Sequence, residues 1–118
     1  MEASPNVSPI DIDVLMEIMD GDQELILDCL GDFAEEYPAL LEEIDAAIAS
    51  GDDGALERCA HALKGSLKYL AASAAADVAG VLEQMGRDGT GEDRREHFDA
   101  LARECERVKT FIEGYDGS

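Results

Sequence analysis

Basic residues are scarce in this chain of 118 residues, which has 9 Lys and Arg against 28 Asp and Glu and a formal net charge of −19. A field of this sign repels phosphate backbones and anionic headgroups, so we expect neither nucleic acid nor a membrane surface as a partner. Aromatic residues make up only 5% of the chain and Trp is absent. Ala and Leu are abundant instead, and this composition favours helices over strands.

Long apolar runs and a basic leader are also missing. No stretch reaches the ~18 uncharged apolar residues of a membrane span. Residues 1–9 contain neither a basic region nor an apolar block, so we interpret them as a disordered lead-in rather than a signal peptide. The remaining length fits one domain, which we place at 10–115, and a cytoplasmic location is the default expectation.

Cysteines are few and do not form a ligand pattern. The three residues, Cys29, Cys59 and Cys105, are widely spaced, and none belongs to a C-x-x-C pair. Zinc sites need clustered ligands. We therefore expect each cysteine to be a small structural residue in a reducing compartment, and we expect no metal or cofactor bound by the chain itself.

Apolar residues recur at helical spacing through almost the whole chain, and no segment alternates as a strand would. The spacing predicts a short first helix, a long helix capped by Asp22 and stopped by Gly51, and a third helix capped by Asp52 or Asp53. A fourth helix leads into a predicted loop at 86–91, and a last helix follows. This pattern predicts an all-α fold: an antiparallel four-helix bundle, running up-down-up-down, with a short additional N-terminal helix.

The predicted third helix carries a histidine on its polar side. Its apolar stripe consists of Leu56, Ala60, Leu63, Leu67 and Leu70. Each helical residue advances by ~100°, so His61, two positions before Leu63, points nearly away from the stripe. We therefore expect His61 to be exposed to solvent.

Two neighbours of His61 share its helical face: Lys64 at i+3 and Gly65 at i+4. Glycine inside a helix costs ~1 kcal/mol relative to alanine. A missing side chain here would let a bulky group reach the imidazole, although neutral drift or close helix packing is equally consistent with this glycine.

The distribution of positive charge also centres on this histidine. All 9 Lys and Arg lie at or after residue 58, and residues 58–76 contain Arg58, Lys64 and Lys68 but no acid. This segment is therefore a cationic island in an acidic chain. Positive charge beside a nucleophilic imidazole suits an anionic group such as phosphate.

The run from His61 to Ala72, HALKGSLKYLAA, resembles the H-x-L-K-G-S-S-x-x-L-G-A signature of histidine phosphotransfer (HPt) domains. Downstream, the pairs Leu82-Glu83 and Gly86-Arg87 resemble the family's L-E…G-R run. The resemblance implies a helical bundle without ATPase or kinase activity, whose histidine takes a phosphoryl group from one receiver-domain aspartate and passes it to another.

Site roles follow from the resemblance by position. It implies that His61 accepts the phosphoryl group through Nε2, that Lys64 steadies it, that Gly65 provides clearance and that Ser66 supports the local geometry. The candidate supporting cations are Lys68 and Arg87. The implied partners are response-regulator receiver domains and a hybrid sensor histidine kinase. The receiver supplies the Mg²⁺, and we expect a monomer because the docking face must stay free.

The chain departs from the signature at two positions. Leu67 stands where the family has a second serine, and we expect it to pack in the core with the rest of the stripe. Ala71 stands where the family has a glycine before the final alanine. Ala71 either lengthens the third helix or changes how that helix joins the fourth.

Other functions compete with a phosphocarrier. An acidic helical bundle could dock a partner protein without any chemistry, with His61 incidental to the binding. The dimerisation hairpin of a sensor kinase is a second alternative, but its acceptor helix usually resembles H-E/D-x-x-x-P, whereas Ala62 follows His61 here. His97 lacks neighbouring Lys and Gly residues, so we interpret it as an ordinary surface histidine.

Overall fold

The computed structural model describes residues 9–115 and contains, within them, five α-helices and no strand. Their bounds are α1 Ile12–Ile18, α2 Gln23–Ser50, α3 Asp53–Tyr69, α4 Ser73–Asp88 and α5 Arg94–Gly114. The all-α prediction is confirmed. The predicted lead-in at 1–9 lies, apart from Pro9, outside the described residues.

Capping residues explain where the first three helices begin and where the longest one ends. The side chains of Asp11, Asp22 and Asp52 each accept a hydrogen bond from a backbone N–H three residues later, at the start of α1, α2 and α3. Gly51 ends α2 with a left-handed backbone, which glycine adopts without steric cost. The predicted cap at Asp22 and stop at Gly51 are confirmed, and Asp52 rather than Asp53 caps α3.

Four helices enclose the core. α3 packs against α2 and α4, and α5 also packs against α2 and α4. The predicted stripe of α3 is buried as expected, including Leu67: its members are Leu56, Ala60, Leu63, Leu67 and Leu70. None of the helices within residues 9–115 combines the length and apolar character of a membrane span.

The predicted loop at 86–91 is wrong at its start, because α4 continues to Asp88. Gly86 is buried inside the helix and faces the backbone of α3. A Cβ atom built on Gly86 would lie 2.7 Å from the backbone nitrogen of Glu57 and 2.8 Å from the carbonyl oxygen of Asp53. This glycine therefore allows close helix contact and does not mark a turn.

The junction between α3 and α4 resolves the role of Ala71. α3 ends at Tyr69, and Ala71 adopts a left-handed backbone with φ of 59°, so it does not lengthen the helix. Its N–H bonds to the Lys68 carbonyl at 3.0 Å, and the next N–H, of Ala72, bonds to the Leu67 carbonyl at 2.8 Å. This is a Schellman motif, in which glycine is the usual residue at the position of Ala71.

Candidate functional site

His61 lies on the outer face of α3, on the side away from the buried stripe. Its side chain is 67% exposed. The predicted exposure is therefore confirmed, and the imidazole is open to a partner molecule.

A buried glutamate of α4 holds the inner side of the ring. The Nδ1 atom of His61 lies 2.8 Å from Oε2 of Glu83, whose side chain is only 6% exposed. The other carboxylate oxygen, Oε1, lies 2.5 Å from Nζ of Lys64. One carboxylate thus bridges the histidine and the lysine that the sequence placed on the same helical face.

This contact determines which ring nitrogen carries the proton. The pKa of Glu83 is held below its ordinary value, chiefly by the hydrogen bond from Lys64, with burial opposing and the hydrogen bond from His61 adding to the effect. An ionised carboxylate can only accept hydrogen bonds. The Nδ1–H of His61 therefore donates to Glu83, and in the neutral ring this contact leaves the lone pair on Nε2.

Arg87 extends the network from the next turn of α4. Its Nε donates to Oε2 of Glu57 at 3.0 Å, and its Nη2 donates to Oε2 of Glu83 at 3.1 Å. Its side chain is 53% exposed. Glu57, Glu83 and Arg87 line a shallow surface pocket together with Arg58 and His61.

The remaining predicted site residues are arranged differently. Gly65 is exposed, and a Cβ atom built there would meet no atom within 4 Å, so close helix packing does not explain this glycine. Ser66 is half-buried in a groove against α2 that it shares with Cys29. Lys68 is exposed one turn beyond Gly65. None of the three lines the pocket beside His61.

The fold neutralises one cation of the cationic island at 58–76, because Lys64 is paired with Glu83. Arg87, which lies outside the island, is paired with both Glu83 and Glu57. The segment 58–76 contains no acid, so this pairing depends on which helices pack together.

Sequence reasoning missed the role of Glu83, although a signal for it was present. Glu83 falls at helical spacing between two small residues of the buried face of α4, Ala79 and Gly86. A charged residue on an apolar face needs a partner. That pattern marks Glu83 as a buried carboxylate that needs a partner.

The second histidine and the cysteines lie elsewhere. His97 is half-buried in the first turn of α5, with Nδ1 3.0 Å from the carbonyl oxygen of Asp93. Cys105 is buried, which raises the pKa of its thiol to about 12. Cys29 and Cys59 are half-buried free thiols that form no disulfide within the described residues. Within the part of the chain that the structure describes, no three His, Cys, Asp or Glu residues are grouped as metal ligands.

Comparison with known proteins gives two matches. The family model described as "Hpt domain" matches residues 28–111. The crystal structure of histidine-containing phosphotransfer protein B (HptB) from Pseudomonas aeruginosa PAO1 superimposes with a TM-score of 0.83, with 23% sequence identity and 94% of each chain covered. At this identity the likeness establishes the fold. No curated protein matches the sequence.

Proposed function

The chain belongs to the Hpt domain family and is a histidine phosphotransfer module of phosphorelay signalling, and from this premise we propose that His61 carries the phosphoryl group. The observation that carries the proposal is the exposed imidazole whose inner nitrogen donates to a buried, ionised glutamate. This arrangement presents a nucleophilic Nε2 to the surface in a fixed orientation.

The geometry at His61 supports a direct transfer step. The lone pair on Nε2 of His61 forms a bond to phosphorus as the bond between phosphorus and the receiver aspartate oxygen breaks, and the aspartate leaves as a carboxylate. The imidazole ring gains positive charge while its Nδ1–H remains bonded to Glu83. A carboxylate placed there stabilises that charge in the transition state. The reverse step returns the phosphoryl group to an aspartate.

The neighbouring residues take supporting roles in this proposal. Lys64 holds Glu83 ionised and in place, and Gly65 leaves room for the approaching receiver. Ser66 supports the backbone of α3 from the α2 side. Lys68 and Arg87 add positive charge at the edges of the docking face.

The partners are proposed at the level of the family. Members of this family exchange phosphoryl groups with response-regulator receiver domains and histidine kinases, and we extend this to a hybrid sensor kinase here. The receiver brings the Mg²⁺, and the chain acts as a monomeric carrier without kinase or ATPase activity and without nucleic acid as a partner. The unpaired cysteines fit a reducing, cytoplasmic location.

We also propose that the domain at 10–115 is an antiparallel four-helix bundle running up-down-up-down, with α1 as an additional short helix. Contacts between opposite helix ends support this arrangement. Tyr115, after α5, donates to Gln23 at the start of α2, with an O···O distance of 2.9 Å. Gly86, near the end of α4, packs against the first turns of α3.

The experiment that tests the acceptor is transfer from a phosphorylated receiver domain, read by intact mass. The native chain should gain one phosphoryl group and His61→Gln none, whereas the matched control His97→Gln should gain as much as the native chain. Gain by His61→Gln would show that another residue is the acceptor. No gain by the native chain from a broad panel of receivers would favour a docking module without chemistry.

A further inference from the structure

The cations around His61 are not equally available to a phosphoryl group. Lys64 is bonded to Oε1 of Glu83 and is mostly covered. The guanidinium of Arg87 forms ion pairs with both Glu57 and Glu83. A new dianion at His61 would have to draw either residue away from a carboxylate that already binds it.

Arg58 is differently placed. It is exposed, lies one helical turn before His61, and lines the same pocket as Glu57, Glu83 and Arg87. Its guanidinium makes no hydrogen bond or ion pair with any other residue in the range 9–115. Its charge is therefore free to meet an incoming anion.

The pocket beside His61 favours the same residue, since Arg58 lines it and Lys64 does not. Side chains on an α-helix lean toward its N-terminus and cover the preceding turn. A group bonded to the outer nitrogen of His61 therefore projects over the turn that contains Arg58. The guanidinium of Arg58 lies one turn further back, with Nη1 3.4 Å from a Cβ atom built on Gly54, and it swings toward His61 to reach that group.

We propose that Arg58 binds the phosphoryl group carried by His61, a role that the resemblance had given to Lys64. The planar guanidinium offers two parallel N–H donors to two phosphoryl oxygens. Lys64 then acts through Glu83 as a positioning residue. This proposal rests on the proposed function, because it concerns the group that His61 carries.

Phosphoramidate tests the proposal without a receiver. Nε2 of His61 forms the new bond to phosphorus as the P–N bond of the donor breaks and ammonia leaves. Loading rates are measured by intact mass for the native chain, Arg58→Gln, Arg58→Lys and Arg103→Gln. Arg103 is a matched control, because it is an exposed arginine on α5 that does not line the pocket. A ³¹P NMR titration of each loaded protein then reports the charge beside the phosphoryl group.

We expect Arg58→Gln to load about threefold to tenfold more slowly, the range of a charge-assisted hydrogen bond at an exposed site. Its ³¹P titration midpoint should move to higher pH, because the dianion loses a neighbouring cation. Arg58→Lys should keep part of both effects, and Arg103→Gln should match the native chain. Arg58→Lys also keeps the test decisive if Arg58→Gln folds poorly.

Three results would overturn the proposal: native loading and titration in Arg58→Gln, an equal loss in Arg103→Gln, or no loading of the native chain above His61→Gln. Failure of the proposed function looks different. In that case phosphoramidate loads the native chain in an Arg58-dependent way, but no phosphorylated receiver transfers its group to it.

Discussion

At the scale of single residues, the site depends on one buried charge. Glu83 fixes the ring of His61, selects its tautomer and holds Lys64. Removing this charge while keeping the shape of the side chain isolates its contribution to phosphotransfer.

Glu83→Gln should slow transfer from a phosphorylated receiver to His61 by about tenfold or more, since a hydrogen bond to a charged partner contributes ~1.5–3 kcal/mol. The rate is measured by rapid quench and intact mass. Glu104→Gln, which removes a carboxylate paired with Arg107 on α5, is the control and should transfer at the native rate. Equal rates for Glu83→Gln and the native chain would remove Glu83 from the mechanism.

The variant Gly65→Ala tests whether Gly65 leaves room for the receiver domain or is needed for helix packing. A Cβ atom at Gly65 meets nothing within 4 Å, so the variant should gain ~0.5–1 kcal/mol of unfolding free energy from helix propensity. Transfer from the receiver should nevertheless fall by about tenfold, because small displacements of the reacting groups are costly.

Gly31→Ala is the matched control for this prediction, since Gly31 is also helical and also has open space around its Cβ position. It should gain the same stability and transfer normally. Transfer at the native rate by Gly65→Ala would mean that this glycine gives no clearance to the receiver.

Much of the site could be predicted from the sequence because it lies within one helix. The face shared by His61, Lys64 and Gly65 follows from helical periodicity alone. The pairing of Glu83 with His61 and Lys64, and that of Glu57 with Arg87, could not be predicted in the same way. These pairings depend on how α4 packs on α3 and how α3 presents its first turns.

At the scale of elements, the caps at Asp22 and Asp52 were predictable, whereas the roles of Ala71, just before α4, and of Gly86, near its C-terminal end, were not. Gly86 has the local appearance of a helix stop, yet it is a point of backbone contact between α3 and α4. Ala71 has the local appearance of a helix former, yet it occupies a left-handed turn. At Gly86 tertiary packing overrides local propensity, and at Ala71 the hydrogen bonds that end α3 do so.

Ala71→Gly should raise the unfolding free energy by ~0.5–1 kcal/mol. A left-handed backbone costs a non-glycine residue ~1–2 kcal/mol, and the greater freedom of glycine in the unfolded chain offsets part of the gain. Urea unfolding followed by circular dichroism measures the change. Ala46→Gly, at an exposed position inside α2, should instead lose ~1 kcal/mol. A loss in both variants would contradict the role given to Ala71.

Gly86→Ala should lower the unfolding free energy by ~1–3 kcal/mol, because the new methyl group meets the α3 backbone and forces α3 and α4 apart. Gly80→Ala in the same helix is the control. Its Cβ would contact only Cδ of Lys64 at 3.5 Å, so the same unfolding assay should show little loss. Similar stabilities for the two variants would be evidence against close contact at Gly86.

At the scale of the whole molecule, residues of α3 and α4 form one reactive face. Contacts between residues far apart in the sequence help to hold the helices in this arrangement. The side chain of Arg94 lies 2.7 Å from Asp53, which joins the start of α5 to the start of α3. The fold class followed from periodicity, whereas contacts such as that between Arg94 and Asp53 depend on the order of helices around the core.

We claim that the chain carries a phosphoryl group on His61 from one receiver domain to another, and a two-step relay is the direct test. The native chain is loaded by a phosphorylated receiver, purified, and mixed with a second, unphosphorylated receiver. Intact mass should show the phosphoryl group leaving the native chain and appearing on the second receiver, while His61→Gln should break the relay at its first step. A relay that still runs through His61→Gln, or a loaded native chain that passes its group to no receiver, would contradict the claim.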